Sequence, residues 1–563
     1  MYVVTHGFAA RIGVKPAGEL VGELAGESVG ARGRAGNDKP VVVPAWWHTC
    51  AMRHAYGADA IRAAEKPLLD AGVPLMARAS RALFQAIVQE VRGRTGHVYG
   101  VRVAVLVGPG NNGGDALYAA ALAAGTGMHV DVVLTGERVH EGGLAAVRAS
   151  QARVLTLEPT TANEIVERCA RAVVLVDGVL GIGASSAARG AAGELLRVLE
   201  LRRAAAQDAF PLIIAVDCPS GINCTTGEVT DPARVLPADL TVTFGALKAG
   251  LVVPPAAVCA GQVRVVDIGL EPGKPALALV EDTDFAPVGL LHTLVARPDP
   301  YAHKYVRGVV GIVAGSREFP GAGVLATRSA LACGPGMVRY LGDREVMRTL
   351  AAVAPEAVPT EGRSQAHLIG SGVVPTPALR ERLMELLRGD GPVVVDAGAL
   401  SLINDDVAQL LAPRHLLTPH AGELAGLLTA LGQPTDRDEV EAAPLTYARI
   451  AQRLTGATVV AKGPGTVVAG PARVFVASRG SSRLATAGSG DVLAGIMAAF
   501  AALWSANQPQ HGVGADQWAL VAAAAAHVHA TAGTLAAGTA DLPIRASNVI
   551  DELPHVLGDL SQI

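Results

Sequence analysis

The sequence predicts an α/β protein in which two helix-flanked parallel sheets follow one another along 563 residues. Short, continuous apolar runs alternate with helical stretches, first from Val101 onward and again from Val309 onward. This alternation is the pattern of strands that are buried on both faces of a parallel sheet. Half of the residues are hydrophobic and only 17% are charged, so a large core is available. The length corresponds to roughly two to four domains.

Composition narrows the range of partners. The formal net charge is −4, which gives no electrostatic reason to expect a nucleic acid or an anionic membrane surface. The six cysteines are scattered and form no C-x-x-C pair. This favours a reducing cytoplasm over a disulfide framework or a zinc site. We therefore predict a cytoplasmic protein.

Two apolar stretches raise the question of a membrane span. Val492–Trp504 is too short to cross a bilayer, and Trp518–Ala532 is rich in alanine and contains His527 and His529. Both stretches are therefore predicted to be buried helices of a large α/β core, and no membrane association is expected.

The first 51 residues lack a steady hydrophobic period and are rich in Gly, Ala and Val. A helical pattern starts only after Met52, with Ile61, Leu68 and Leu75 among its apolar members. We expect residues 1–51 to be a disordered arm or a gene-prediction extension upstream of a true start at Met52. A signal peptide is not indicated, because no continuous apolar region follows a basic start.

Four apolar runs in the N-terminal half are predicted to be strands of one sheet. The runs are Val101–Val107, His129–Leu134, Ala172–Val176 and Pro211–Val216. Ligands bind at the carboxyl ends of strands in such sheets, so the loops that follow the strands form the candidate site. Three of these loops carry polar side chains: Gly108–Asp115 (GPGNNGGD), Asp177–Gly183 (DGVLGIG) and Asp217–Ile222 (DCPSGI).

The first of these loops has two interpretations. Gly108–Asp115 contains a formal G-x-G-x-x-G between a strand and a helix, and Glu137 lies near the position of a ribose-binding acid. A dinucleotide-dependent dehydrogenase is therefore a genuine alternative. Against it, Asn111, Asn112 and Asp115 add amides and a negative charge that a pyrophosphate cradle does not need. A P-loop is excluded, because no Lys-Ser/Thr pair follows the glycines.

Asp177 and Asp217 each end a predicted strand at the same edge of the sheet. Together with the asparagines of the first loop they form an oxygen-rich cluster, which suits a hard cation. A single Asp at a strand end more often caps the following turn, and this alternative stays open for each residue taken alone.

The motifs GNNGGD, DGVLGIG, DCPSGI and TFGALKAG (Thr243–Gly250), in this order and spacing, resemble the NAD(P)H-hydrate epimerase domain over about Tyr56 to Leu270. The resemblance implies a Rossmann-like three-layer fold that catalyses epimerisation without hydride transfer. The chain departs from the family pattern at Gly178, where alanine is usual, and at Cys218, where isoleucine is usual. Neither change removes an oxygen ligand.

The epimerase resemblance also implies roles for individual residues. A potassium ion is expected on Asn112, Asp177 and Ser220. The hydrated nicotinamide nucleotide is expected to contact Asn111, Asn112, Gly113, Gly114, Asp115, Gly181, Ile182, Gly183, Ala184, Ser185, Ser186, Ala187 and Asp217.

The strand–helix pattern restarts after residues 276–300, a Pro-rich segment that is predicted to be a linker. The most informative stretch of this half is Thr486–Asp491 (TAGSGD), which directly precedes an apolar helix. Gly488 and Gly490 allow a sharp turn, and the free N–H groups of the helix start favour an anion. Asp491 is either a helix cap or the base that takes a proton from an attacking hydroxyl in phosphoryl transfer.

Two further motifs, TPHAGE (Thr418–Glu423) and TVVAKGPGT (Thr458–Thr466), favour the catalytic interpretation. Taken alone, a histidine at the position of His420 is usually a plain turn residue, and Glu423 could cap the next helix or form an ion pair at its start. With TAGSGD, however, these motifs resemble the ribokinase-like NAD(P)H-hydrate dehydratases over about residues 295–560.

The dehydratase resemblance assigns a second set of roles. The hydrate substrate is expected at Gly323, Gly372, His420 and Asp491, with Asp491 as the catalytic base. The adenine nucleotide is expected at Lys462, Gly463, Pro464, Gly465, Thr466 and Gly490. The chain departs from the family pattern in the GSGVV sequence that starts at Gly370, where G-P-G-L-G is usual, and at Asn548, where aspartate is common.

The predicted organisation is an extension (1–51), an epimerase domain (52–275), a linker (276–300) and a ribokinase-like dehydratase domain (301–563). The predicted activity is bifunctional repair of damaged cofactors. The first domain interconverts the R and S forms of hydrated NAD(P)H, abbreviated NAD(P)HX. The second domain dehydrates the S form at the expense of ADP, which gives AMP and phosphate.

The predicted cofactors are K⁺ in the epimerase domain and Mg²⁺ at the nucleotide phosphates of the dehydratase domain, with ADP or alternatively ATP as co-substrate. A homo-oligomer is expected. Two other classes of protein stay open: a ribokinase-like small-molecule kinase fused to a dinucleotide-binding domain, and a non-catalytic nucleotide sensor. An intact Asp491 and three oxygen-bearing loops argue against the sensor.

Overall fold

The structure, a computed structural model, describes residues 52–206, 209–286, 289, 291–477, 479–507 and 514–563. The expectation for residues 1–51 lies outside the described residues.

The N-terminal half alternates strands and helices. Its strands are β1 (His54–Ala55), β2 (Arg102–Val107), β3 (His129–Leu134), β4 (Arg153–Thr156), β5 (Val174–Gly178), β6 (Leu212–Val216), β7 (Leu240–Phe244) and β8 (Gln262–Val266). Its helices are α1 (Ala58–Asp70), α2 (Leu75–Thr95), α3 (Gly110–Gly125), α4 (Glu141–Ala149), α5 (Ala162–Ala170), α6 (Gly190–Ala206) and α7 (Ala256–Cys259).

Seven of these strands form a sheet in the order β4-β3-β2-β5-β6-β7-β8, and every neighbouring pair is parallel. The four predicted strands correspond to β2, β3, β5 and β6, which are largely buried. The sequence analysis missed β4, β7 and β8. In β7, Thr241 and Thr243 interrupt the apolar run, yet both are fully buried. Burial is tolerated because the hydroxyls are bonded: Thr241 Oγ1 donates to the Ala260 carbonyl oxygen at 2.6 Å.

The C-terminal half repeats the alternation. Its strands are β9 (Leu277–Val280), β10 (Val309–Val313), β11 (Met337–Tyr340), β12 (Ala366–Ile369), β13 (Val393–Val395), β14 (Leu416–Leu417), β15 (Thr458–Ala461), β16 (Val467–Ala469) and β17 (Val474–Ala477). Its helices are α8 (His292–Val295), α9 (Pro320–Ala332), α10 (Arg344–Val353), α11 (Pro377–Arg388), α12 (Asp405–Ala408), α13 (Ala421–Ala430), α14 (Arg437–Ala442), α15 (Pro444–Thr455), α16 (Ser489–Ala506), α17 (Gln517–Ala537) and α18 (Ala546–Leu560).

The second sheet has ten strands in the order β1-β9-β17-β16-β15-β14-β13-β12-β10-β11. The strands from β11 to β15 are parallel neighbours, whereas β16 is antiparallel to β15 and to β17. The carboxyl ends of β12 to β15 therefore meet at one edge of this sheet. The predicted α/β class with two helix-flanked, largely parallel sheets is confirmed.

The predicted linker at residues 276–300 contains regular structure. Leu277–Val280 forms β9, which pairs with β17 and also with β1 from the N-terminal half. The prolines and glycines of this segment suggested a free connector, but Leu277 and Val280 are buried and place β9 inside the second sheet. Not all of the segment is therefore a free connector. The domain boundaries stay predictions.

One buried apolar cluster contains residues from both halves. Cys218, Ile222 and Val253 from the first half belong to the same cluster as Val395 and Val459 from the second. The described chain from Met52 to Ile563 accordingly lies within one compact unit. Packing through this shared core fixes the two candidate sites described below relative to each other.

Helices α16 and α17 are long and apolar enough to cross a membrane by length and composition, but 78% of the apolar window of each is buried inside the protein. Their prediction as core helices is confirmed. Helix α16 packs so closely on α9 that a Cβ at Gly495 would collide with Ser329 Oγ and with the Ala326 carbonyl oxygen. Only glycine permits this approach.

Candidate active sites

The ends of β2, β5, β6 and β7 surround a cavity of about 620 Å³, and side chains of α1 and α2 complete its lining. The residues predicted to bind the hydrate that line this cavity are Asn111, Asn112, Asp115, Gly181, Ile182, Gly183, Ala184 and Asp217. Gly113 and Gly114 are buried in the first turn of α3, and Ser185, Ser186 and Ala187 lie outside the lining. The structure thus brings most of the predicted set together, and its role in substrate binding stays a prediction.

The glycines of the first loop have a structural reason. A Cβ at Gly108 would collide with the Val179 carbonyl oxygen, and one at Gly113 would collide with the Gly108 carbonyl oxygen. Gly110, with φ of 83°, starts α3. These close approaches explain the G-x-G-x-x-G pattern without a pyrophosphate, so the dehydrogenase alternative loses its main support.

Asp217 takes part in a buried ion pair. Its Oδ1 atom accepts hydrogen bonds from Lys248 Nζ at 2.5 Å, from Thr243 Oγ1 at 3.1 Å and from the Phe244 N–H at 3.1 Å. Lys248 is only 1% exposed, and its ammonium also donates to the Phe244 carbonyl oxygen at 2.7 Å. Among the described residues, nothing donates to Asp217 Oδ2. One carboxylate oxygen is therefore fixed, and the other is available to a ligand.

The sequence analysis gave Lys248 no role, although it quoted the motif that contains it. The signal was a lysine inside the apolar stretch FGALKAG, where a charged side chain needs a buried partner. The partner, Asp217, lies 31 residues away and follows a different strand, so spacing alone did not point to it.

Asp115 lines the same cavity and is 9% exposed. Burial, and then the negative charge of Asp217, raise the pKa of its carboxyl well above the ordinary value. Glu65 on α1 has a raised pKa for the same two reasons in the same order. The cavity therefore places carboxyl groups of raised pKa near a carboxylate that is paired with a lysine.

The predicted potassium ligands lie around the loop after β5. Asp177 is fully buried; its Oδ1 accepts from the Ser220 hydroxyl at 2.6 Å and its Oδ2 from the Ser220 N–H at 2.8 Å. Burial raises the pKa of Asp177, and no lysine or arginine of the described chain pairs with it. Asn112 Nδ2 is a buried atom without a hydrogen-bond partner in the described part of the chain. A Cβ at Gly181 would lie 2.9 Å from Asn112 Cβ, so this side chain borders the loop.

The second candidate site lies where β13, β14 and β15 end. Lys462 Nζ is 2.8 Å from Asp396 Oδ1 and 3.7 Å from Glu423 Oε2. The buried Asp396 carboxylate also accepts from Thr418 Oγ1 at 2.6 Å and from Ser371 Oγ at 2.7 Å. Burial alone would raise the pKa of Asp396, but the Lys462 ammonium and the two hydroxyls outweigh it, and the pKa is lowered. The sequence analysis assigned Asp396 no function.

Asp491 lies in the first turn of α16. Burial, and then the negative charge of Asp396, raise the pKa of its carboxyl to about 6, while Lys462 opposes the shift. The N-cap residue is Gly488, with φ of 87° and no side-chain capping bond, so Asp491 does not cap the helix. A Cβ at Gly490 would lie 3.7 Å from Lys462 Nζ. This glycine therefore keeps the space between the helix start and the lysine open.

His420 and Glu423 form a capping box at the start of α13. His420 Nδ1 accepts from the N–H groups of Gly422 at 3.1 Å and Glu423 at 3.2 Å, and Glu423 Oε2 accepts from the His420 N–H at 2.8 Å. Glu423 therefore has the capping role considered above, and His420 is the N-cap residue of α13 rather than a plain turn residue. A ligand role remains compatible with it, because the His420 side chain is 60% exposed.

The two glycines predicted at the hydrate substrate lie close together. Gly372 has φ of 62°, and a Cβ there would collide with Ala322 Cβ. Gly323 lies in the first turn of α9, where a Cβ would be 2.8 Å from the Ala314 carbonyl oxygen. Both glycines let α9 approach the neighbouring loops, and their contact with substrate stays a prediction.

The predicted nucleotide loop follows β15. Gly463 and Pro464 are exposed, Thr466 is half-buried and Gly465 is buried. A Cβ at Gly465 would lie 3.0 Å from Pro254 Cγ, so this loop rests against a segment of the N-terminal half.

Comparisons with known proteins agree with this organisation. Residues 310–555 match the NAD(P)H-hydrate dehydratase family, and residues 73–250 match the family described as YjeF-related protein N-terminus. The bifunctional NAD(P)H-hydrate repair enzyme Nnr of Mycobacterium tuberculosis is 41% identical over 465 residues, which cover 80% of this chain and 89% of the relative. The enzyme of the same name from Mycobacterium leprae is 39% identical over 526 residues, which cover 90% of this chain and 100% of the relative.

A relative and a solved structure match one half each. The NAD(P)H-hydrate epimerase of Microbacterium testaceum is 47% identical over 221 residues, which cover 39% of this chain and 79% of the relative. The ADP/ATP-dependent NAD(P)H-hydrate dehydratase from Bacillus subtilis is 24% identical, covers 48% of this chain and 96% of its own, and has a TM-score of 0.40. At that level the structural likeness carries no argument. Because the two mycobacterial relatives are similar over most of their length, the chain belongs to the family of bifunctional NAD(P)H-hydrate repair enzymes.

Proposed function

We propose that the chain interconverts the R and S forms of NAD(P)HX and dehydrates the S form to NAD(P)H at the expense of ADP. The observation that carries this proposal is the Asp491 carboxyl. Its pKa of about 6 lets it act as a base at neutral pH, and it lies beside the Lys462 ammonium at the start of a helix. Membership of the repair-enzyme family supports both activities.

This geometry supports the following course of dehydration. Hydroxide is a poor leaving group, so the hydroxyl of the hydrate is first phosphorylated. Asp491 takes the hydroxyl proton as the oxygen attacks the terminal phosphorus of ADP, and the bond from that phosphorus to AMP breaks. Lys462 and the free N–H groups of α16 stabilise the moving phosphoryl group. Phosphate then leaves with the C–O electron pair, and loss of a proton from the neighbouring carbon restores the ring double bond.

Asp396 supports this step through Lys462. Burial would lower the pKa of Lys462, but Asp396, and then Glu423, raise it by more, so the net shift is upward. Lys462 therefore stays charged at neutral pH. Asp396 acts as a positioning residue, since both of its oxygens are already hydrogen-bonded.

The residues around Asp177 fit a potassium ion. Asp177 is a buried carboxylate without a cationic partner among the described residues, and the Asn112 amide beside its loop has an unpartnered buried atom. Turning the Asn112 side-chain amide by 180° exchanges the positions of its nitrogen and oxygen. With the amide oxygen facing the ion, Asn112, Asp177 and Ser220 would hold it. The ion would supply the positive charge that this buried carboxylate lacks. Asp177→Ala should abolish epimerisation and leave dehydration of the S form intact; epimerisation at the wild-type rate would show that the site is misassigned.

Magnesium finds no ready ligand set at the second site. Asp396 is only 2% exposed and is already paired with Lys462, and one oxygen of Glu423 caps α13. We therefore propose that Mg²⁺ arrives with the nucleotide phosphates, and no step above depends on a protein ligand to it.

The test of the proposed function uses the purified full chain with NADHX and ADP. Both epimers, AMP and phosphate are followed by chromatography, and NADH by its absorbance. We expect both epimers to disappear, with one AMP and one phosphate formed per NADH; a parallel reaction with ATP determines the preferred nucleotide. A phosphorylated product without recovered NADH would establish the kinase alternative, and binding without turnover would establish the sensor.

We also propose that the enzyme works in the cytoplasm as a homo-oligomer. The scattered cysteines and the burial of both long apolar helices support the location. Sedimentation velocity measures the assembly, and a monomer at micromolar concentration would contradict that part of the proposal.

A further inference from the structure

We propose that Asp217 is the base and Asp115 the acid of the epimerisation, and that Lys248 is the residue that positions Asp217. The inference rests on the proposed epimerase function of the N-terminal half. Both aspartates line the 620 Å³ cavity, and Lys248 contacts Asp217 from behind the cavity wall, where it is 1% exposed.

The base is identified by an asymmetry in its hydrogen bonds. Lys248, Thr243 and the Phe244 N–H all donate to Asp217 Oδ1, and no described residue donates to Oδ2. A carboxylate held in this way has a fixed orientation and a defined charge, while its second oxygen is free to accept a proton. Lys248 cannot take the base role itself, because its ammonium is already bonded to Asp217 Oδ1 and to the Phe244 carbonyl oxygen.

The acid is identified by its position and its weak bonding. Asp115 extends from the first turns of α3 into the cavity lining, and its carboxylate accepts one hydrogen bond, a long one of 3.4 Å from Ser80 Oγ. The other charged groups on the cavity are Glu65 and Arg62 from α1. Arg62 is engaged with Asp59 at 2.9 Å and with the Ile182 carbonyl oxygen at 3.3 Å. No cation of the described residues contacts Asp115, and the raised pKa of this carboxyl agrees with its role as the acid.

The chemistry of the hydrate defines what this pair must do. Water adds to the enamine double bond of a dihydronicotinamide so that the hydroxyl lies on the carbon next to the ring nitrogen. Asp217 removes the hydroxyl proton as a C=O bond forms. The C–N bond breaks with its electron pair on nitrogen, and Asp115 protonates that nitrogen.

Ring closure reverses these transfers on the other face. Rotation about the neighbouring C–C bond turns the aldehyde, and the nitrogen attacks the carbonyl carbon. Asp115 takes the N–H proton back, and Asp217 returns its proton to the oxygen. Both carboxyl groups recover their starting states, and only the configuration of the carbon has changed.

The test measures epimerisation of one purified NADHX epimer by the full-length protein without nucleotide, so that dehydration does not consume the product. We expect Asp217→Asn and Asp115→Asn each to slow the reaction by about 100-fold or more, the usual contribution of a general acid or base. Lys248→Met should slow it at least about tenfold and move the acidic limb of the pH–rate profile to higher pH, because the carboxylate has lost its cation. Lys248→Arg should restore part of the rate. Dehydration of the S form with ADP shows that each variant is folded.

Strand β7 offers a matched control. Thr243 and Thr241 are both fully buried on this strand, but Thr243 donates to Asp217 whereas Thr241 donates to the Ala260 carbonyl oxygen. Thr243→Val should slow epimerisation several-fold, and Thr241→Val should leave its rate unchanged. Equal rates in the two variants, an Asp217→Asn rate within about threefold of wild type, or an unmoved acidic limb in Lys248→Met would each overturn the inference. A wild-type protein without epimerase activity would instead contradict the proposed function.

Discussion

The lysine–aspartate pair of the first site differs from that of the second in how its aspartate is bonded. Each pair has a second aspartate of raised pKa beside it. The members are Lys248, Asp217 and Asp115 in the first site and Lys462, Asp396 and Asp491 in the second. Asp217 receives all of its hydrogen bonds on Oδ1, whereas Asp396 is bonded on both oxygens.

This difference in hydrogen bonding gives the two aspartates different roles. Asp396 is 2% exposed and bonded on both oxygens, so we assign it the task of keeping Lys462 charged and in place, and we assign the proton transfer to Asp491. Asp217 keeps one oxygen free and can both anchor its lysine and react. Two similar lysine–aspartate pairs therefore differ in which aspartate transfers the proton: the paired aspartate in the first site and the neighbouring one in the second.

The largest expected effect is on the rate of dehydration when Asp491, the proposed base of the second site, is replaced. Asp491→Asn should slow dehydration by about 100-fold or more, because an amide cannot accept the hydroxyl proton. ADP should still bind, since Lys462 and the glycine turn are unchanged. Epimerisation without nucleotide is the internal control and should proceed at the wild-type rate. Near-normal dehydration would refute the role of Asp491 as base.

The next effect is on the pair itself. Lys462→Met leaves Asp396 buried, 2% exposed, without its cation, and should lower the free energy of unfolding by about 3 kcal/mol. Urea denaturation followed by circular dichroism measures this loss. The double variant Lys462→Met/Asp396→Asn removes the uncompensated charge and should recover part of it. An unchanged urea midpoint in Lys462→Met would mean that Lys462 does not compensate the charge of the buried Asp396 carboxylate.

A smaller loss of stability is expected when a hydroxyl that donates to Asp396 is removed. Thr418→Val removes the 2.6 Å hydrogen bond to Oδ1 and should cost about 1.5 kcal/mol of stability, the range for a bond to a charged group. Thr349→Val is the control, because the Thr349 hydroxyl makes an exposed bond of 3.4 Å to the Glu345 carbonyl oxygen; it should change stability by less than about 0.5 kcal/mol. Equal losses in both variants would argue against a special role for Thr418.

The pH dependence gives the smallest expected effect. Dehydration needs the ionised form of Asp491, whose pKa is raised to about 6. The rate should therefore rise with pH, reach half its maximum near pH 6 and be about tenfold lower at pH 5. A rate that is flat from pH 5 to 8 would contradict the shifted pKa.

The raised pKa of Asp491 also makes the stability of the folded protein depend on pH. A raised pKa means that the folded protein favours the protonated form, so stability falls as the pH rises from the ordinary value of 3.8 to about 6 and is constant above that. Asp491→Asn should therefore stabilise the protein by about 3 kcal/mol at pH 7 and have little effect at pH 4. Thermal denaturation at both values measures the difference.

Much of the fold could be predicted because the signals are local. The apolar runs of β2 and β3 and the apolar stretch of α16 are visible in windows of six to eighteen residues. Strands β7 and β9 were missed for opposite reasons: the threonines of β7 look polar but are bonded inside the core, and β9 lies between prolines yet completes a sheet. In both cases the deciding partners lie outside the window.

By itself, the sequence determined the α/β class, the loops at the strand ends and the position of Asp491 in the first turn of a buried helix. Only the tertiary structure decided which charges meet. Lys248 and Asp217 are 31 residues apart, and Lys462 and Asp396 are 66 apart. Each pair forms because parallel strands bring their carboxyl ends to one edge of a sheet, and the order of strands in a sheet is set by packing across the whole core. The energy of a buried charge depends on such distant partners, so its role is fixed only when the chain has folded.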